Sequence, residues 1–352
     1  MIHHSLLAVA AGAPLFLASC DSESPSPPTS ESMKYETIGT LESKGAAFDA
    51  IVSPDAKIEV IGKDFTWIEG PLWLPDQDCL IFSNIPENKL WKWTEVDGAV
   101  DYLQYSGYFG DYPRPGFKGQ FDQPGSNGLT LSPDGKLVLC QHGLRQVAMM
   151  DAPLYEPEAK YSAITDRNHE GKKYNSPNDA CFAKDGTMYF TDPPYGLPAG
   201  ADDPTRETDY SGVYRVAKDG TVTLIDDELE RPNGIALSPD EKTLYVANSH
   251  GPRAIWMAYP LNEDGTVTSK KVFHDVTEQV GKRKGMPDGL KVDGSGTVFA
   301  TAPGGVWVFT PEGEHLGTIV TEQFASNVAL SPDEKTLYIT ADMLLLRVNL
   351  RD

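Results

Sequence analysis

The chain has 352 residues, and 51 Asp and Glu against 30 Lys and Arg leave a net charge of −21 at pH 7. That balance excludes a nucleic-acid binder, whose phosphate contacts need clustered Lys and Arg, and a protein that docks electrostatically on an anionic membrane. Hydrophobic residues at 40% suit a globular fold with a sizeable core, while 32 Gly and 27 Pro describe a chain that turns often and has few long helices.

In chain order, residues 1–19 read as an export signal, apolar but too short and broken to span a bilayer and ending in small residues. Leu17-Ala18-Ser19-Cys20 resembles a bacterial lipobox, so the expected product is a periplasmic protein or an envelope lipoprotein anchored through Cys20. The signal departs from that pattern in carrying His3 and His4 but no Lys or Arg before Lys34. Residues 20–45 open with a run of Ser, Pro and acids that has little to bury, and are expected to form a disordered tether. The folded domain is then 46–352.

Six related segments follow. They begin at Glu69, Ser126, Pro177, Pro232, Pro287 and Ser326. Each reads as a short strand of alternating apolar residues, a tight Asp/Gly-rich turn such as Ser-Pro-Asp-Gly, and a second strand rich in β-branched and aromatic residues. The polar residues that lead them are Glu69, Asn127, Asn178, Asn233, Asp288 and Asn327, spaced 39 to 58 residues apart. Such a period leaves room for two further strands per copy and none for a crossover helix, which excludes α/β folds. The expected fold is all-β: a six-bladed β-propeller of four-stranded antiparallel blades. Too few residues follow Asn327 for four strands, so Lys57–Gly62 is expected to supply the missing outer strand and close the ring.

Between copies one and two, the segment 105–123 is rich in Gly, Tyr, Pro and Phe and could form a lid. The charged stretch around His169, Glu170, Lys172 and Lys173 reads as a solvated loop. Cys79, Cys140 and Cys181 match no zinc or haem spacing and read as buried thiols, although export would permit one disulfide.

In a propeller the innermost strands line the central channel, so the six lead residues fall at one mouth of it. A single Asn before Gly is an ordinary turn residue. Two carboxylates and four carboxamides at one register are instead a set of hard oxygen donors suited to Ca²⁺, Mg²⁺ or Mn²⁺. Around the same mouth, Asn127, His142, Asn175 and Tyr195 are candidate substrate contacts, and Arg145 is a further residue near it; Asn327, followed by Val328 rather than Gly, reads as structural.

From about Phe65 onward the chain resembles the gluconolactonase family that includes regucalcin and the luciferin-regenerating enzyme. The resemblance rests on Glu69-Gly70-Pro71, Asn175-Ser176-Pro177-Asn178-Asp179, Phe190-Thr191-Asp192-Pro193-Pro194-Tyr195-Gly196, Arg231-Pro232-Asn233-Gly234 and Pro287-Asp288-Gly289. It implies one divalent cation, Ca²⁺ foremost with Zn²⁺, Mg²⁺ or Mn²⁺ as alternatives, held by Glu69, Asn233 and Asp288, with Asn178 as a fourth ligand or a substrate contact. It further implies that Asp288 serves as catalytic base and that the substrate is a small sugar lactone. Ser176 stands where animal members carry a sugar-binding Arg, which leaves the sugar open. The alternatives are a phosphotriesterase-type hydrolase on the same calcium propeller and a calcium-binding propeller without catalysis. No Gly-x-Ser-x-Gly elbow supports a serine hydrolase.

Overall fold

The structure, a computed structural model, describes residues 35–350. The expected export signal, residues 1–19, and Cys20 lie outside the described residues. Six antiparallel sheets account for almost all regular structure, and among the described residues no helix is long and apolar enough to cross a membrane. Five sheets begin with the first strand of a repeat and run outward in simple sequence order. Their first strands are Ile68–Leu74, Ser126–Leu131, Ala180–Phe182, Pro232–Leu237 and Leu290–Val292; that of the sixth is Ala325–Leu330. Each first strand touches the next, and the sixth touches the first, so the six close a ring around one axis. The protein is a six-bladed β-propeller.

The second strands read as unbroken apolar runs because both faces of a blade are covered. In Leu137–Gln141, Leu137 and Leu139 pack toward blade one, whereas Val138 and Cys140 pack toward blade three. Six such buried clusters lie between the six neighbouring pairs of blades. Cys79 and Cys140 are buried in two of them and Cys181 is half-buried beside a third; all three thiols are free.

Blade six has three strands of its own, and Ile58–Gly62 pairs antiparallel with Leu344–Asn349 as its fourth, as expected. Arg347 adds a charged clasp, its Nε donating to Glu59 Oε2 at 2.8 Å. One expectation is corrected here. Part of the tether is structured: Glu36–Ile38 and Thr40–Ser43 add fifth strands to blades six and five. The Ser/Pro composition ends before them, and edge pairing satisfies backbone groups without needing much buried side-chain area.

Candidate functional site

The lead residues stand at the channel end of the inner strands, and a glycine explains why the strands can meet there. The Gly128 amide donates to the Asn178 carbonyl of the next blade at 2.7 Å, and the Gly234 amide to the Asp288 carbonyl at 3.1 Å. A Cβ at Gly234 would lie 2.3 Å from that Asp288 carbonyl oxygen, a contact no side chain tolerates. The Gly after a lead residue is therefore less a turn residue than a point of close approach between blades. Register shifts after Glu69, Ser126 and Pro232 mark local bulges where the strands bend toward the axis.

These strands wall a cavity of about 350 Å³. It brings together Glu69, Asn127, Asn178, Asn233, Asp288 and Tyr195. All but Tyr195 are buried, so the cavity floor is polar yet shielded from bulk water. Asn233 is held from behind by Thr191, whose hydroxyl donates to its carbonyl at 2.6 Å, and Ser83 does the same for Asn127 at 2.8 Å. Glu69 Oε2 accepts from the Gly70 amide at 2.8 Å and from Asn327 Nδ2 at 3.2 Å. Asn327 thus orients Glu69 and does not line the cavity, in keeping with a structural role.

Burial pushes the Glu69 carboxyl up to about 7, partly offset by the Gly70 amide and aggravated by the Asp179 charge. Asp288 is raised well above the usual carboxylate range, first by burial and then by repulsion from Glu69, with Asp179 adding to it. Asp179, also buried, was not singled out from sequence; its counter-charge is Lys291, 3.7 Å away. Asp288 Oδ1 and Asn127 Oδ1 are buried without a hydrogen-bond partner. Buried oxygens with no donor, beside two carboxylates that repel one another, make a cradle lacking positive charge. A hard divalent cation fits that need. The donor set is mixed, for among the described residues no three His, Cys, Asp or Glu cluster as a ready metal site.

Two expected substrate contacts are buried away from this cavity. Asn175 lies outside the cavity, fully buried, its Nδ2 donating to the carbonyls of Asp192 and Tyr210 while its Oδ1 accepts from Arg206. His142 is equally buried, behind Gly196, and its charged form is disfavoured by burial, its pKa falling to about 3. Arg145 ties loops together instead, donating to Tyr174 and Thr205 carbonyls. Asp192 is a clamp as well: its two oxygens accept the amides of Asn175 and Ser176, both at 2.7 Å.

The missed wall residues obey a register. Trp67, Arg231 and Met286 all line the cavity and stand two positions before Glu69, Asn233 and Asp288. Residues two apart on a strand share a face, so these form the next tier outward along the channel. The signal was present in Ser176, which occupies the same position before Asn178. Trp67 packs against Phe324 with ring centroids 5.4 Å apart, and the Arg231 guanidinium lies over the Tyr195 ring at 5.6 Å.

Residues 67–342 match the family described as the SMP-30/gluconolactonase/LRE-like region. The chain belongs to this family. A gluconolactonase from Zymomonas mobilis is 39% identical over 321 residues, covering 90% of this chain and 87% of that protein. The solved structure of a gluconolactonase from Xanthomonas campestris superposes with a TM-score of 0.74 at 29% identity, over 90% of this chain and 97% of that one. The calcium-binding protein regucalcin from Agrobacterium tumefaciens shares the fold at 20% identity and a TM-score of 0.59, over 83% of this chain and 92% of that one.

Proposed function

We propose that this protein is a lactone hydrolase that opens a sugar lactone at the mouth of its channel, using one divalent cation and Asp288 as base. The family membership and the likeness to gluconolactonases support lactone hydrolysis. The observation that carries the site assignment is the buried pair Glu69 and Asp288, with Asp288 Oδ1 unpartnered at the cavity wall.

Glu69, Asn178, Asn233 and Asp288 would hold the cation, Ca²⁺ being the best match to neutral amide and carboxylate oxygens. Such a cation supplies Lewis acidity, polarising a carbonyl and offsetting the charge that builds on its oxygen. The remaining work falls to the chain. Asp288 accepts the proton of the attacking water and returns it to the ring oxygen as the acyl C–O bond breaks, leaving a hydroxy acid. Burial and the neighbouring Glu69 raise its proton affinity, and a bound cation would offset that rise. Asn127, with a free carbonyl oxygen, accepts a substrate hydroxyl, and Trp67 and Tyr195 cover the apolar face of the sugar ring. The reading of residues 1–19 as an export signal supports a periplasmic or envelope-anchored location for the reaction.

A pH-indicator assay over a panel of aldonolactones, with and without chelator, tests the reading. Opening of at least one lactone, lost on chelation and restored by Ca²⁺, is expected. Absence of turnover on the whole panel despite cation binding would replace it with a non-catalytic calcium-binding propeller.

A further inference from the structure

A second, larger chamber lies directly outside the first. Its volume is about 670 Å³, and Trp67, Gln123, Tyr195 and Arg231 line both chambers, so the two communicate across these four residues. Two loops supply most of its outer lining, from residues 117–123 and 194–201. They are held in place rather than loosely draped. The Lys118 amide donates to the Pro198 carbonyl at 2.9 Å, joining the loops. Arg114 and Asp122, both buried, pin the base of the first loop by an ion pair and by the Arg114 amide donating to Asp122 at 2.8 Å. The segment expected as a lid supplies part of this wall.

Ligand pockets span roughly 300–1,000 Å³. The inner chamber is at the small end of that range and suits one sugar ring; the outer one is too large for the rest of a single-ring lactone. Its lining mixes aromatic faces, Phe117 and Phe121, with the amides of Gln120 and Gln123. Sugars ask for that combination, since a pyranose has an apolar C–H face that lies on an aromatic ring and hydroxyls that need donors and acceptors at its rim. We propose that the outer chamber receives a second sugar unit, so that the preferred substrate is an aldonolactone bearing a glycosyl group. This rests on the lactonase reading of the inner chamber and adds to it the substrate class. The lactone ring sits over Asp288 while the glycosyl group passes between Trp67 and Tyr195 toward Phe117 and Phe121.

The full chain, supplied with Ca²⁺, is assayed on cellobiono-1,5-lactone and glucono-1,5-lactone. The two-ring substrate is expected to show at least about tenfold higher kcat/KM, with the difference in KM, and the Phe117→Ala/Phe121→Ala double variant is expected to erase about tenfold of that preference. Equal or lower kcat/KM for the two-ring lactone would overturn the proposal. An independent arm titrates the products, cellobionate and gluconate, into the unaltered protein by calorimetry. Cellobionate binding about tenfold more tightly supports the outer subsite, and equal affinity overturns it. If neither lactone opens, the hydrolase reading fails on its own, and the calorimetric comparison still decides the outer chamber.

Discussion

Asp288 combines two roles that pull in opposite directions. As the proposed ligand it would have to be ionised, yet burial and the neighbouring Glu69 favour its protonated form. Asp288→Asn keeps shape and hydrogen-bonding capacity, so the fold should survive while turnover falls by about 10²–10⁴, measured as kcat at saturating lactone and metal. Glu69→Gln removes charge from the cradle; its expected effect is weaker cation binding, and an unchanged calorimetric metal titration would remove Glu69 from the ligand set. The same residue predicts a pH effect on stability. Its folded pKa of about 7 stands above the value of about 4.3 in an unfolded chain, so folding favours the protonated carboxyl. The stabilisation is complete below about pH 4 and is lost as pH rises toward 7. In chelator, thermal midpoints should fall over that window, and Glu69→Gln or added Ca²⁺ should flatten the fall.

At the level of elements, the inner strands of neighbouring blades are spliced through backbone contacts beside the site. Gly234→Ala would press a methyl group against the Asp288 carbonyl, forcing blades four and five apart. A loss of about 1–3 kcal/mol, as for other overpacked sites, is expected together with a disproportionate fall in kcat, read from chemical denaturation and steady-state rates. These contacts also mark what the sequence could reveal. The repeat spacing, the six lead residues and the borrowed strand at Lys57–Gly62 were legible because each follows from a local pattern repeated along the chain. The burial of Asn175 and His142 away from the cavity depends on loops from other segments, which no local pattern discloses. Trp67, Arg231 and Met286 were missed although each sits at a definite offset from a residue already recognised, so reading one tier further out in every repeat would have found them.

For the whole molecule, ring closure depends on residues before the first repeat. Phe48, Val52, Ile58 and Val60 are buried in the cluster between blades five and six, each worth about 1.5–3 kcal/mol. Deleting the chain through Gly62 removes all four, a loss comparable with the ~5–15 kcal/mol that stabilises an ordinary domain. Such a truncation should show no cooperative melt by circular dichroism, whereas a chain beginning at Tyr35 should melt like the complete one.

The clasp between Glu59 and Arg347 spans 288 residues of sequence. It therefore sets an order in time. Blades one to five can form as the chain is made, each from local hairpins, but the strand near residue 58, though it can pair early with Glu36–Ile38, must wait for its blade-six partner until the last few residues have emerged. Nascent protein thus stays an open arc until synthesis is finished, and the proposed cation cradle, which draws on residues from both ends of that arc, takes its final form only when the latch shuts.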